Sequence, residues 1–386
     1  MNYSFNEEQM MLGETVYKWA KNWLEPQMEA VDEEDRFPEN FFRETAKLDL
    51  NGITISEEYG GAELGYIEAC IAAENMSRIS GALAMTWGAH YMLCVDNVFR
   101  NGREEIKEKY LPSLIKGEKI GCLGITEPDA GSDAMSMRTT ASRHEQGYLL
   151  NGSKTFITNG PIADLMLVYA KTSPEKAARG ISAFLIETNV PGFTCNKIKK
   201  FGMRGSPTGE IAFNELFVSQ GNLLGDEDAG VKILTSGLCT ERIFYAACAL
   251  GTIKAALDLS VAYSKQRTQF GKTIGRFQMI QQKLADLYTL YQSARCLVYY
   301  AAWYVDQLEN KMGGKGSELD IIAATAFLYA SEAATKACLE GVQIHGGYGY
   351  CLEYPIQRHL RDAKLWEIGG GTTEIRRLII ARELLQ

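Results

Sequence analysis

The spacing of apolar residues changes its period twice along the chain, and this change constrains the fold more than any other sequence feature. Residues from about 5 to 120 show helical spacing, with a predicted helix start at Phe5-Asn6-Glu7-Glu8. Short strand-like runs follow, and helical spacing returns from about residue 231. The sequence therefore predicts an α+β fold with a helical domain over 1–120, a β-domain over 121–232 and a second helical domain over 233–386.

The middle zone contains runs typical of short strands at residues 165–170, 181–186 and 210–218. Tyr148-Leu149-Leu150 followed by Asn151-Gly152 predicts a hairpin turn. In the last zone, an apolar stripe predicts a helix through Ile280, Leu284, Leu287 and Tyr291. A glycine-rich segment at 309–317 is predicted to be an exposed loop between helices.

Composition and charge exclude several functional classes. The formal net charge is −8 without a dense basic block, so neither nucleic acid nor an anionic membrane is an expected partner. No run approaches the roughly 18 apolar residues of a membrane span. The 9 cysteines include no C-x-x-C pair, which indicates reduced, buried thiols and no zinc site or other metal centre. The predicted location is the cytoplasm or, for a mature eukaryotic chain, the mitochondrial matrix.

One carboxylate lies on an apolar helical stripe. Leu234, Leu238, Glu241, Tyr245 and Cys248 are spaced 4, 3, 4 and 3 residues apart, so they share one face of a predicted helix. Burial there would raise the pKa of Glu241 toward neutrality, as a general base requires. The alternative is a carboxylate at the edge of the stripe that pairs with a neighbour such as Arg242.

Two turns could contact a ligand through their backbone. Residues 126–133 contain Pro128 and Gly131, and either bind a polar ring edge or a phosphate, or form an ordinary surface turn. Gly369-Gly370-Gly371 precedes a predicted helix from about Ile375 to Leu385, whose N-terminus could bind an anion or a carbonyl oxygen. The alternative for the second turn is a flexible connection with a threonine cap.

Two later segments combine basic, aromatic and glycine residues. Residues 265–272 either bind phosphate or form a charged helix end that closes on Gly271. Residues 343–350 form a glycine-rich turn after a helix, where His345 is either catalytic or a hydrogen-bonded structural histidine.

These segments occur together in one order, and that order resembles the acyl-CoA dehydrogenase family along essentially the whole chain. The matching segments are 124–133 (GITEPDAGSD), 151–154 (NGSK) with 156–160 (FITNG), 267–271 (RTQFG), 343–349 (QIHGGYG), and 361–364 (RDAK) with 371–374 (GTTE). The resemblance implies an N-terminal α-domain, a central β-barrel-like domain and a C-terminal four-helix bundle.

The resemblance also implies an FAD cofactor and the residues that hold it. The flavin ring would contact residues of the β-domain, namely Leu123, Ile125, Thr126, Gly131, Ser132, Phe156, Ile157 and Thr158. Thr372 and Glu374 would contact the same FAD. A neighbouring subunit would hold the pyrophosphate and adenosine through Arg267, Phe270, Gln278, Gln343, Gly346 and Gly347. This sharing implies a homotetramer or a homodimer.

The family pattern also bears on the base. Many members carry Glu immediately before the Gly-Thr of the C-terminal motif, where this chain has Gly370. A minority, including isovaleryl-CoA dehydrogenases, carry the base on the helix after the β-domain, and the matching position here is Glu241. The resemblance therefore assigns proton abstraction to Glu241 and leaves Gly370 a backbone role in stabilising the enolate oxygen.

The resemblance further implies a thioester substrate held by Ser132, Arg179, Cys239, Arg242 and Gly371. Cys239 replaces an Asp common in relatives, which leaves two alternatives open: a short or branched acyl-CoA, or an acyl group on a carrier protein, as in the prolyl-carrier-protein dehydrogenases. An electron-transferring flavoprotein is the expected electron acceptor. Two rival interpretations are an oxygen-using flavoenzyme of the same fold and a non-catalytic flavin-bearing scaffold.

Overall fold

The computed structural model of the chain describes residues 5–308 and 317–385. Seven helices of six or more residues form the N-terminal zone: α1 Glu7–Trp19, α2 Met28–Glu34, α3 Phe41–Ala46, α4 Tyr66–Ser77, α5 Gly81–His90, α6 Asp96–Asn101 and α7 Glu104–Ile115. The predicted start of α1 is confirmed, because the Asn6 side chain accepts a hydrogen bond from the Gln9 amide at 2.8 Å in a capping box.

The middle zone forms one mixed sheet, as the change of period predicted. Its strands are β1 Gly121–Gly124, β2 Thr140–His144, β3 Gly147–Thr158, β4 Leu165–Lys171, β5 Ile181–Glu187, β6 Phe193–Lys197, β7 Thr208–Ser219 and β8 Leu223–Leu224. The strand order is β6-β7-β3-β2-β4-β5-β8, and β1 pairs in parallel with β4. The three runs predicted as strands are therefore confirmed.

The predicted hairpin turn at Asn151-Gly152 is wrong. Strand β3 continues through both residues, and the chain reverses instead between His144 and Gly147, which pair with each other. Gly152 lies at a register shift against β7, with φ of +144°. The Asn151 side chain accepts a hydrogen bond from the Glu215 amide at 2.9 Å. Long pairing with β7 thus outweighs the local preference of Asn-Gly for a turn.

Three long helices and two shorter helices form the C-terminal zone: α8 Gly230–Gln266, α9 Gln278–Asp306, α10 Glu318–His345, α11 Ile356–Ile368 and α12 Thr373–Leu384. The predicted stripe on α9 is confirmed, because Leu287 is fully buried and Ile280, Leu284 and Tyr291 pack against the same core. The predicted loop at 309–317 lies outside the described residues except for Ser317, which caps α10.

Helix α8 is the most deeply buried element of this zone. Within the described ranges it is the one helix long and apolar enough to cross a membrane, yet 83% of its most apolar 18-residue window is buried in the fold. Its apolar composition is therefore accounted for by packing against the helices on both sides of it. One continuous core joins α8 to the N-terminal helices, through residues such as Trp87, Phe244 and Phe327.

The segment after α8 differs from the prediction that the helix closes on Gly271. The helix ends at Gln266, and Arg267 is already extended. Two short strands, β9 Thr268–Gln269 and β10 Lys272–Thr273, then pair as a hairpin around Phe270 and Gly271, whose φ angles are +52° and +76°. Two successive residues with positive φ form the turn that suits a two-residue hairpin.

The cysteines are free thiols, as predicted, but not all are buried. Cys296 and Cys351 are exposed, and Cys195 is half-buried. Among the residues that the structure describes, no group of three or more His, Cys, Asp or Glu side chains could hold a metal ion.

Candidate active site

Glu241 lies on α8 in the interior of the protein, with 8% of its surface exposed. Its Oε1 atom is buried and has no hydrogen-bond partner in the described part of the chain. Burial raises the pKa of Glu241 to about 7, and the positive charges of Arg100 and Arg242 oppose this increase. A desolvated carboxylate with a free oxygen and a near-neutral pKa has the properties of a general base.

Aromatic rings and a glycine form the walls beside Glu241. Tyr245, one turn further along α8, has its ring centroid 6.4 Å from that of Phe327 and 6.1 Å from that of Trp366. Gly88 of α5 approaches this wall so closely that a Cβ atom there would lie 2.6 Å from the Phe244 ring. The neighbourhood of Glu241 is therefore apolar and closely packed, which keeps water away from its carboxylate.

The glycine-rich turn before α12 lies against the same aromatic group. Gly370 and Gly371 have φ of +66° and +86°, and a Cβ on Gly370 would lie 3.1 Å from the Phe327 ring. Arg376 donates to the Gly369 carbonyl at 2.7 Å and stacks on Phe327 at 3.4 Å. Phe327 therefore connects the exposed Gly370-Gly371 turn to the face of α8 that carries Glu241.

Thr372 begins α12 as its N-cap, because its side chain accepts a hydrogen bond from the Ile375 amide at 3.4 Å. The predicted helix and its threonine cap are thus confirmed. Glu374 is exposed in the first turn, where negative charge is favourable.

The β-domain residues that were expected to contact the flavin ring lie on adjacent segments. The Thr126 carbonyl accepts a hydrogen bond from the Thr155 amide at 2.9 Å, which brings residues 123–132 beside residues 156–158. Phe156 is 67% exposed with φ of +59°, and Ile157 is buried. Leu123, Ile125, Thr126 and Thr158 are half-buried, and Gly131 and Ser132 are exposed. Arg179 is exposed in a short helix, Pro174–Gly180, that precedes β5.

A buried ion pair fixes the 123–132 segment, and the sequence analysis did not assign it. Lys154 is fully buried and donates to Glu127 at 2.8 Å and to the Ile125 carbonyl at 3.1 Å. Glu127 also accepts hydrogen bonds from the amides of Arg138 and Thr139, at 2.6 and 3.0 Å. These bonds lower the pKa of Glu127 although burial opposes ionisation. Lys154 belongs to the family-matching segment 151–154, but only the fold reveals which groups it contacts.

Two of the residues expected to hold the substrate, Cys239 and Arg242, contact the carboxylate of Asp320, which the sequence did not single out. Cys239 and Arg242 are buried on α8, and Asp320 of α10 accepts from the Cys239 thiol at 2.8 Å. Asp320 also forms an ion pair with Arg242 at 3.5 Å. Arg242 therefore pairs with Asp320, and the alternative in which Arg242 pairs with Glu241 is not the one observed.

The remaining predicted residues form a second, separate site. Arg267, Gly346 and Gly347 line a surface pocket of about 440 Å³, together with the aromatic rings of Tyr263 and Tyr348. Along α8, 26 residues separate Glu241 from Arg267, which at 1.5 Å per residue is about 39 Å. Phe270, Gln278 and Gln343 are exposed near this pocket's segments. One protein chain therefore does not bring the two groups of residues together.

His345 lies beside this second site. Its ring is hydrogen-bonded to the Gly341 carbonyl at 2.7 Å and stacks on Tyr263, with ring centroids 4.3 Å apart. These contacts favour the structural alternative for this histidine.

Both sites suit parts of a flavin dinucleotide. Gly131, Gly346 and Gly347 would place a Cβ in open space, so their backbones are accessible to a ligand. In the second site, the guanidinium of Arg267 could bind phosphate, and the rings of Tyr263 and Tyr348 could contact an adenine. At the first site, an exposed aromatic ring and two exposed glycine-rich segments could cover a planar ring system.

Comparisons with known proteins identify the family of the chain. Three family profiles match: "Acyl-CoA dehydrogenase, N-terminal domain" over residues 6–118, "middle domain" over 122–216 and "C-terminal domain" over 228–385. The mitochondrial isovaleryl-CoA dehydrogenase of Oryza sativa subsp. japonica is 46% identical, covering 99% of this chain and 92% of its own length. An acyl-CoA dehydrogenase of Bacillus subtilis is 44% identical over 98% of both chains.

Several solved structures share the fold over nearly the whole chain. Butyryl-CoA dehydrogenase from Megasphaera elsdenii superimposes with a TM-score of 0.95 at 37% identity, covering 100% of both chains. The prolyl acyl carrier protein oxidase AnaB has a TM-score of 0.92 at 34% identity, covering 99% of this chain and 100% of its own. The FAD complex of PigA has a TM-score of 0.93 at 33% identity, with 100% and 99% covered. The chain belongs to the acyl-CoA dehydrogenase family.

Proposed function

We propose that this chain oxidises a short or branched acyl-CoA thioester to the trans-2-enoyl thioester, with Glu241 as the base and FAD as the cofactor. The observation that carries this proposal is the buried carboxylate of Glu241, whose Oε1 has no partner among the described residues and whose pKa is raised to about 7 by burial. The family assignment and the similarity to isovaleryl-CoA dehydrogenase support the reaction class.

The first task of the protein is proton abstraction. A thioester α-proton is weakly acidic, so its base must be desolvated, ionised and close to the carbon. The apolar face of α8 desolvates Glu241, and the charges of Arg100 and Arg242 favour its ionised form. The Oε1 atom is free to receive the proton. We propose that the backbone N–H of Gly370, in the turn against Phe327, stabilises the developing enolate oxygen.

The cofactor supplies the second half of the reaction. FAD, when bound, accepts the β-hydrogen of the substrate as a hydride. Residues 123–132 and 156–158 would hold the flavin ring, and the Lys154–Glu127 pair keeps the first of these segments in place. Thr372 and Glu374 would contact the same cofactor. FAD is further supported by the similar structure described as the FAD complex of PigA.

The separation of the two sites supports a shared cofactor. Because about 39 Å of helix divides Arg267 from Glu241, we propose that Arg267, Phe270, Gln278, Gln343, Gly346 and Gly347 hold the dinucleotide portion of the FAD in a neighbouring subunit. The assembly is then a homodimer or a homotetramer. We propose an electron-transferring flavoprotein as acceptor, and the cytoplasm or mitochondrial matrix as location.

The thioester carrier has two candidates. Ser132, Arg179, Arg242 and Gly371 would contact the arm of an acyl-CoA. The second candidate is an acyl group, such as prolyl, on a carrier protein. It is favoured by Cys239, whose thiol is engaged by Asp320, and by the similar prolyl acyl carrier protein oxidase.

The test is anaerobic titration of the FAD-loaded protein with short, branched and cyclic acyl-CoAs and with carrier-bound acyl groups, while flavin bleaching is followed. We expect Glu241→Gln to retain FAD but to bleach several orders of magnitude more slowly, because the amide cannot accept the proton. Glu332→Gln is the matched control and should bleach normally. It removes the carboxylate of Glu332 on α10, which is 44% exposed and pairs with Arg377 on α12. Normal bleaching by Glu241→Gln would exclude this base.

A further inference from the structure

Arg100 is a largely buried cation, with 12% of its side chain exposed. Its Nε forms an ion pair with Asp96 at 2.7 Å within α6, and its Nη1 donates to Ser236 on α8 at 2.8 Å. Asp96 is held in turn by the hydroxyl groups of Thr54 and Tyr66, at 3.1 and 3.3 Å. The guanidinium is therefore fixed at the junction of α6 and α8.

The third nitrogen of this guanidinium has a different environment. Nη2 of Arg100 is buried and has no hydrogen-bond partner within residues 5–308 and 317–385. It lies against the backbone of Gly237, where a Cβ atom would be only 2.4 Å from it. The absence of a side chain at residue 237 is thus what allows Arg100 to reach this surface of α8.

Helix geometry places Glu241 on the side of α8 that faces this nitrogen. Gly237 and Glu241 are four residues apart, so they lie on the same face one turn apart. Side chains in an α-helix point toward its N-terminus, so the Glu241 carboxylate extends over the turn that contains Gly237. An unpartnered donor, Nη2 of Arg100, and an unpartnered acceptor, Oε1 of Glu241, are consequently buried on the same side of α8, and their charges interact without forming an ion pair.

We propose that Arg100 is a positioning residue for the reaction: its guanidinium keeps the Glu241 carboxylate ionised and directed along the Gly237 turn. This inference rests on the proposed function of Glu241 as base. Burial alone would leave the carboxyl group protonated and unable to accept the α-proton. A fixed positive charge from α6 counteracts this without occupying Oε1 permanently, because Arg100 is held by Asp96 and Ser236 instead.

Other charged and titratable groups also act on Glu241. Besides Arg100, they come from α6, β4 and α8 itself, and are Asp96, Tyr169, Cys239, Arg242 and Tyr245. Arg242 is neutralised in part by its ion pair with Asp320. Arg100 makes the largest contribution that lowers the pKa of Glu241, ahead of Arg242.

The test is the pH profile of kcat/KM for the FAD-loaded protein with the best acyl thioester. Removal of a positive charge disfavours the ionised carboxylate, so Arg100→Met should move the acidic limb to higher pH. Coulomb's law with an effective dielectric constant of about 20 gives a shift of about one to two pH units for charges roughly 6–12 Å apart. Arg100→Lys, which keeps the charge, should move the limb by less than half as much.

Two further variants separate electrostatics from folding. Gly237→Ala displaces Arg100 from the helix while keeping its charge in the protein, and should shift the limb in the same direction as Arg100→Met. Arg78→Met removes another partly buried arginine, which pairs with Asp258 of α8 at 3.1 Å, 17 residues after Glu241, and should leave the limb unmoved.

A second readout does not require turnover. The infrared carbonyl band of protonated Glu241, identified by its loss in Glu241→Gln, should persist to higher pH in Arg100→Met than in the original protein. An unchanged band and an unchanged acidic limb in both Arg100→Met and Gly237→Ala would overturn the role of Arg100. Full turnover by Glu241→Gln would instead overturn the proposed base, so the two failures are distinguishable.

Discussion

Replacement of Lys154 by Met tests whether the buried ion pair holds the segment proposed to contact the flavin. Lys154 is fully buried, and Glu127 is 6% exposed. The change removes the bonds to Glu127 at 2.8 Å and to the Ile125 carbonyl at 3.1 Å, and leaves the carboxylate without a cation. Removal of one partner of a buried pair costs about 3–5 kcal/mol. We expect about 3 kcal/mol, because two backbone amides still donate to Glu127.

Amide hydrogen exchange of residues 123–139 is the suitable assay, because a chain of several domains need not unfold in one step. A loss of about 3 kcal/mol in the free energy of local opening accelerates exchange roughly 100-fold. Lys18→Met is the control: its pair with Glu14 is about 70% exposed on both sides, and such pairs contribute about 0–1 kcal/mol.

The double variant Glu127→Gln/Lys154→Met completes the cycle. It leaves no buried charge, so its cost should be smaller than the sum of the two single changes, with a coupling of about 2 kcal/mol. An acceleration below tenfold for Lys154→Met, or one equal to that of the Lys18→Met control, would refute the structural role of the pair.

Two further predictions concern stability. Thr372→Ala removes the cap that accepts from the Ile375 amide. It should destabilise α12 by about 0.5–1 kcal/mol, measured as faster exchange over residues 373–384, whereas Thr372→Ser should restore protection. His90 is buried with its pKa lowered to about 4 by burial. The unfolded chain therefore binds the proton more readily, and the contribution of neutral His90 is complete above pH 6.5 and lost as the pH falls toward 4. The stability difference between the original protein and His90→Gln, measured by denaturant titration, should shrink over that interval; a constant difference would contradict this assignment.

Short sequence patterns correctly predicted the helices and strands that are determined by neighbouring residues in the chain. The cap at Asn6, the strand at 165–170 and the apolar stripe through Glu241 are each set within a few residues. The turn expected at Asn151-Gly152 failed because pairing with β7, which begins 57 residues after Asn151, outweighs the local preference.

The environment of the base could not be predicted in the same way. Arg100 lies in a polar segment far from Glu241 in sequence, and only the packing of α6 onto α8 brings it to Gly237. Asp320 reaches Cys239 and Arg242 from α10 in the same manner. No periodicity in the sequence encodes such contacts, because each depends on how separate helices meet.

The turn at Gly370 restricts how this enzyme could change over evolution. A carboxylate at residue 370 would meet a backbone with φ of +66° and the Phe327 ring 3.1 Å from where its side chain would begin. Transfer of the base from helix to loop would require a relaxed backbone and a smaller residue on α10 at once. A single substitution cannot reach that arrangement without strain, so the location of the proposed base and the packing beneath the loop would have to change together.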